Sequence, residues 1–240
     1  MADDRYFDGE TNEPNPAHLI YTDRASMRLE MLGIPVELPK GFVIHSAGEV
    51  PDSCYLIRRG RVMSYEFTAS GEERIYNINE EGSLLFEPSV ILGRPLTLHF
   101  KTMMRSILIR IPRDALLNAV MTDPEAAVDI LCSVSEKFLE SNEQIRESAC
   151  HSVRWKVCNL LLSYALRFGV DYDGKVLIHE RLSQQLMANL LRVNRVTVAR
   201  VVRELRDLGL VEQVNGFYCI RSIQRMRKHM QYIDMDHESK

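Results

Sequence analysis

The chain has 240 residues, of which 45% are hydrophobic and 26% charged, a globular balance with room for two domains and no sign of overall disorder. No apolar run approaches the ~20 residues that span a bilayer, and the first residues lack a basic and then apolar leader, so membrane insertion and secretion are disfavoured. Five scattered cysteines without a C-x-x-C pair argue against a disulfide framework or a zinc or iron–sulfur site and fit a reducing cytoplasm. The net charge of −3 conceals a polarity: residues 1–150 hold 15 Lys+Arg against 24 Asp+Glu, a net −9, whereas residues 151–240 hold 15 against 9, a net +6. A basic C-terminal portion is what a segment facing phosphates carries, although a solvated charged face reads the same way.

Residues 1–30, polar and containing Pro14 and Pro16, read as a mobile arm. Over 31–122 the pattern becomes short strand-like runs at 42–45, 54–58, 61–67, 74–78 and 96–100, separated by Gly41, Gly48, Gly60, Gly71 and Gly82. Strands at this spacing with turn signals between them predict an antiparallel barrel or sandwich. The period then switches. Asp123 is a good N-cap, Pro124 fits the first helical position and Glu125 suits the positive end of the helix dipole, so a long helix is expected over 123–150. Leu131, Val134, Phe138, Ser141, Ile145 and Ser148 recur at steps of three and four, either a seam that pairs two helices or one face of a helix packed on its own barrel. A second helix covers about 153–167 and ends at Gly169, a predicted C-cap.

Beyond a short strand at 176–178, Ser183 caps a two-turn helix, which breaks at 192–194, and Asn194 caps another that runs to Leu208 and Gly209. Leu190, Val193, Val198, Val201, Val202 and Leu205 take inward positions, whereas Arg195, Val196, Arg200 and Arg203 point outward. Small Ala188 lets the two helices cross closely, as a helix-turn-helix requires. Asn215-Gly216 between two apolar-rich runs then signals a type I′ hairpin, which makes the unit 151–240 a winged helix.

These features resemble the CRP/FNR superfamily of bacterial transcription regulators over about 36–222. The resemblance is carried by Lys40-Gly41, Gly48-Glu49, Tyr55, Gly60, Arg61-Val62 and Gly71, by the Asp123-Pro124 helix, and by the stretch 182–211. It implies an α+β chain with an N-terminal, jelly-roll-like antiparallel β-roll that senses an effector, a central dimerisation helix and a C-terminal winged helix-turn-helix. The implied protein is a cytoplasmic homodimer that binds double-stranded DNA at a pseudo-palindromic operator and works with RNA polymerase. By the same resemblance Arg195, Val196 and Arg200 read base edges, while Ser183, Gln184, Gln185, Asn194 and Thr197 lie near phosphates. Each arginine can donate two hydrogen bonds to guanine, whereas Val196 stands where cyclic-AMP-responsive members carry a glutamate and offers only an apolar contact, most naturally to a thymine methyl. That valine resembles the subgroup that regulates halorespiration genes. Arg192 replaces a turn glycine, at a cost of roughly 1–2 kcal/mol if the residue is left-handed.

In cyclic-nucleotide-binding members a Gly-Glu pair opens a phosphate cassette. Here Phe86 replaces the glycine, Glu87 survives, and Pro95 follows Arg94 where an amide donor should stand. The expected ligand is therefore a small organic effector, an organic acid or phenol rather than a cyclic nucleotide, held by Phe86, Glu87, Arg94, Thr97, His99, Ser141 and Asn142. An iron–sulfur sensor would need a tight cysteine group near its N-terminus, where only Cys54 precedes position 130, and haem would need His18, His45 or His99 as a ligand; neither is expected. No Ser/His/Asp set, H-E-x-x-H, Walker motif or paired carboxylate spacing points to an enzyme. The alternatives left open are a cyclic-nucleotide- or haem-responsive member of the family, and a β-barrel cofactor protein whose winged helix binds protein rather than DNA.

Overall fold

Glycine-punctuated runs of β-branched and aromatic residues build two facing sheets at the N-terminal end of the chain. The computed structural model describes residues 20–21 and 27–238. One sheet is formed by β1 (Ile20–Tyr21), β6 (Glu73–Asn79), β5 (Val62–Phe67), β8 (His99–Thr102) and β3 (Val43–His45), in that spatial order. The other runs β2 (Ile34–Leu38), β9 (Ser106–Pro112), β4 (Ser53–Arg59) and β7 (Leu84–Leu85). All pairings are antiparallel except that of the two-residue β1 with β6. Leu56, Ile57, Val62, Leu84, Leu108 and Ile111 fill the interior.

Helices α1 (Met27–Glu30), α2 (Glu87–Leu92) and α3 (Arg113–Thr122) edge this β-roll, and α4 (Pro124–Cys150) leaves it. Asp123 caps α4 as its sequence demands, its carboxylate accepting from the backbone N–H groups of Glu125 at 3.0 Å and Ala126 at 3.2 Å. The C-terminal portion comprises α5 (Val153–Phe168), the hairpin β10 (Gly169–Tyr172) and β11 (Lys175–Ile178), α6 (Gln184–Leu191), α7 (Arg195–Asp207), the hairpin β12 (Val211–Val214) and β13 (Phe217–Ile220), and α8 (Ile223–Glu238). The fold is thus the expected α+β arrangement of β-roll, long helix and winged helix-turn-helix.

Four local expectations are corrected. The arm assigned to 1–30 falls mostly outside the described residues, but its end is built into the fold, because Leu29 is fully buried in the β-roll core. The run at 96–100 is a strand only from His99; Leu96 instead exchanges backbone hydrogen bonds with Gly48 and Glu49 at 2.8 Å. Gly169 ends α5 in an extended rather than left-handed conformation. Its glycine is required by proximity, since a Cβ there would stand 2.0 Å from the Ala165 carbonyl oxygen. The sequence reading also passed over β9, which is paired on both sides and bounded by Ser106 and Pro112 instead of by glycines.

Candidate nucleic-acid interface and sensor site

Helix α6 begins at Ser183, whose hydroxyl accepts from the Leu186 N–H at 3.0 Å, and α7 begins at Asn194, whose side chain accepts from the Val196 N–H at 2.8 Å. Between them Arg192 is left-handed at φ 55°, and its N–H bonds back to the Ala188 carbonyl. Met187, Ala188 and Leu190 pack against Val198, Val201, Val202 and Leu205, all buried, and this fixes the crossing of the two helices. The opposite face of α7 is bare. Val196 is 75% exposed, Arg195 and Arg200 are exposed beside it, and among the described residues neither guanidinium has an ion-pair partner. Arg203 is exposed as well, whereas Glu204 is held by Arg154 of α5 at 2.5 Å.

Asn215 and Gly216 both have positive φ, 50° and 84°, which is the type I′ geometry that joins β12 to β13. The wing is larger than the sequence suggested. Asp173-Gly174, also at positive φ, turns a second hairpin, and β11 pairs with β13 to give a four-stranded sheet in the order β10-β11-β13-β12. Asp-Gly is the same signal as Asn-Gly and was legible there. Across this sheet Glu212 accepts from Lys175 at 2.7 Å and from Arg221 at 2.9 Å, and both hydrogen bonds hold its carboxyl below the usual range. Burial raises the Tyr218 phenol, while hydrogen bonds with Gln184 and Gln213 oppose the shift and tie the start of α6 to the wing.

The seven residues expected around an effector differ widely in burial. Phe86, where the resemblance expects a glycine, is left-handed at φ 72°. Its ring is buried edge-on against Phe100, His45 and Tyr55, with centroids 4.7, 5.2 and 5.8 Å away. Glu87 is fully buried: one carboxylate oxygen accepts from Ser133 at 2.9 Å and from Lys137, while the other has no hydrogen-bond partner. Arg94 and Thr97 are exposed, and His99 is half-buried between Tyr65 and Phe67, its Nδ1 accepting from the Ala47 N–H at 3.3 Å. On α4, Asn142 is exposed and Ser141 donates to the Lys137 carbonyl at 2.7 Å. The residues that do meet Glu87, Ser133 and Lys137, were missed by the sequence reading. Their spacing of four on one helix face was the available signal.

Of the described cysteines, Cys54, Cys158 and Cys219 are buried and Cys132 and Cys150 are exposed on α4. Burial pushes the Cys54 thiol up to about 12, with the Glu87 charge adding to the effect, and burial likewise raises Cys158 to about 12. His45 shares its Nδ1 with Glu49 at 2.7 Å, and His18 lies outside the described residues. The described residues contain no group of His, Cys, Asp or Glu arranged to hold a metal ion.

Helix α4 presents Val128, Leu131, Phe138, Leu139 and Ile145 to solvent, each more than half exposed. Of the six residues expected to form the seam, Leu131, Phe138, Ser141, Ile145 and Ser148 are exposed and Val134 is half-buried, while neighbouring Ser133 is buried toward the β-roll. At its end Glu147 is buried and accepts from Asn159 of α5 at 3.1 Å. His151 stacks on Trp155 with centroids 3.8 Å apart, and Ser152 caps α5.

Comparison with known proteins agrees with this geometry. Residues 35–123 match the cyclic nucleotide-binding domain family and residues 156–229 the Crp-like helix-turn-helix domain family, so the class is a sensor β-roll joined to a DNA-binding-type winged helix. The chain belongs to the CRP/FNR family of transcription regulators, which are not enzymes. It is 24% identical over 194 residues to a CRP-like cAMP-activated global transcriptional regulator of Mycobacterium tuberculosis, covering 81% of this chain and 87% of that one. Among solved structures, the c-di-GMP responsive global regulator CLP of Xanthomonas campestris superposes with a TM-score of 0.71 at 16% identity, covering 81% and 97% of the two chains. CprK complexed with OCPA gives 0.68 at 16% identity over 86% and 96%. At that identity the solved structures establish a shared fold. No helix among the described residues is long and apolar enough to cross a membrane.

Proposed function

We propose that the protein is an effector-responsive, sequence-specific regulator that binds a pseudo-palindromic operator as a cytoplasmic homodimer and acts with RNA polymerase. The observation that carries this reading is the exposed face of α7, where two arginines without an ion-pair partner among the described residues stand beside an exposed valine on a helix whose other side is packed. Side chains kept out of the core in this way have no ion pair to break before they meet a base. Arg195, Val196 and Arg200 would read base edges, with Ser183, Gln184, Gln185, Asn194 and Thr197 near phosphates. Gln184 is shared with Tyr218, which fits a role in holding the wing at that contact. The exposed apolar row on α4 fits pairing with a second copy, which would set two α7 helices about one helical turn, ~34–36 Å, apart.

Named ligands of relatives span cAMP, c-di-GMP and OCPA, so the shared fold does not dictate an effector. In this chain the Phe86 ring packs against Phe100 and Glu87 is paired with Lys137, which favours a small organic effector over a cyclic nucleotide. His45 and His99 are each engaged by neighbours, which weighs against haem.

The test is selection of bound sites from a randomised duplex pool, followed by Arg200→Ala on the selected site and on single-base variants. Loss of about 1–3 kcal/mol confined to one guanine position supports base reading, whereas equal loss on every sequence assigns Arg200 to phosphate instead. Native mass spectrometry of the purified dimer reads out a retained ligand. A thermal upshift of several degrees with cyclic AMP would overturn the effector assignment.

A further inference from the structure

The turn of the helix-turn-helix is attached to the other two parts of the molecule. The Arg192 guanidinium lies over the Tyr76 ring of β6, 3.9 Å from its centroid, and donates to the Gln144 side-chain oxygen of α4 at 3.4 Å. Gln144 in turn donates to the side-chain oxygen of Asn77, beside Tyr76 on β6, at 2.7 Å, and the Tyr76 hydroxyl donates to Glu66 of β5 at 2.9 Å. One side chain therefore joins β-roll, central helix and recognition motif, and it does so from a left-handed position that glycine would occupy without strain. Neighbouring apolar groups extend the attachment, since Met63, Tyr65, Ile75 and Ile78 of the β-roll share a core with the winged helix.

This attachment has a consequence for the face of α7. Beside it lies a cleft of about 220 Å³ lined on one wall by Gln185, Asn194 and Arg195 and on the other by Glu72, Glu73 and Arg74 at the start of β6, where Glu73 is paired with Lys101. Three of the eight side chains assigned above to DNA thus face the β-roll. They are open to water, but a cleft of this volume has no room for a duplex, so with the β-roll beside it the start of α7 cannot lie fully in a major groove.

We propose that Arg192 is an autoinhibitory latch, whose docking on Tyr76 and Gln144 holds the recognition helix beside the start of β6 and keeps the protein in a DNA-excluding state. The inference rests on the DNA-binding reading above for its consequence, though not for the contact itself. It also gives the departure from the usual turn glycine a purpose: the arginine accepts an awkward backbone conformation because its side chain is the clasp. Any ligand or mutation that favours the undocked arrangement would raise DNA affinity by population shift.

The experiment is a double-mutant cycle in the full-length protein with Arg192→Gly, which suits the left-handed turn, and Tyr76→Leu, which lies outside the winged helix. Gln144→Ala replaces the latter should it not fold. Two quantities are measured: affinity for a 40-base-pair duplex of random sequence at low salt, and hydrogen exchange of β6 and α6 amides. Each single variant is expected to bind DNA roughly three- to tenfold more tightly and to lose protection in β6 and α6, with the double variant gaining no more than either single. Unchanged exchange in both singles, or fully additive effects, overturns the latch. So does weaker DNA binding by Arg192→Gly with Tyr76→Leu unchanged, since Arg192 would then be a DNA contact. If no form binds DNA while both singles lose amide protection non-additively, the clasp stands and the DNA-binding reading fails.

Discussion

The winged helix and the β-roll put their candidate functional residues in opposite places. On the winged helix they come from one stretch of 18 residues, 183–200, most sit on the surface, and none is needed to fill the core between α6 and α7. At the sensor end they come from two separate segments, 86–99 and positions 141 and 142 on α4, and their environments range from the fully buried Glu87 to the exposed Arg94 and Asn142. A DNA reader must present side chains outward to a large rigid partner, so local helix periodicity is enough to define it. A sensor must enclose a small ligand, so its site is a property of packing between distant elements.

The contrast can be broken most severely at Glu87. Lys137→Met leaves a fully buried carboxylate with Ser133 as its remaining partner, and should destabilise the protein by about 3 kcal/mol in denaturant titration. A loss under 1 kcal/mol would mean that the pair with Lys137 does little to hold Glu87, which would leave its carboxylate open to a ligand. A smaller effect is expected on α4. Phe138→Ser removes an exposed aromatic, so the folded monomer should be unharmed while self-association weakens by about 1.5–3 kcal/mol in sedimentation equilibrium. Equal association by wild type and variant would move the dimer contact elsewhere.

The smallest effect lies at the base of the wing. Lys175 and Arg221 hold the Glu212 carboxyl below its usual range, so the folded state binds its proton less readily than the unfolded chain does. The stabilisation is therefore complete above the ordinary carboxylate range and is lost as the pH falls through the depressed value. Melting curves of wild type and Glu212→Gln should differ slightly at neutral pH and merge on acidification. A difference that grows toward low pH would reverse the sign and remove Glu212 from the wing's support.

Much of the fold could be read because its signals are local. Asp123-Pro124 starts α4, Ser183 and Asn194 cap α6 and α7, and Asn215-Gly216 turns the wing; each acts on backbone groups within three residues. Where an element depends on its neighbours, the sequence misled. Strand β9 carries no glycine at its ends to announce it, and Ser133 and Lys137 of α4 gain their role only from a buried glutamate fifty or so positions earlier in the chain.

The sequence by itself determined the class of molecule: a β-roll, a long helix and a winged helix with outward arginines on its basic +6 segment. Periodicity, capping and charge are written along the chain and need no partner to be read. Only the tertiary structure decided that the Phe86 ring packs edge-on against Phe100, that Lys137 meets Glu87, and that Arg192 clasps Tyr76 across more than a hundred residues. These are contacts between groups far apart in sequence, and their existence depends on how the sheets and helices stack, which no local pattern encodes.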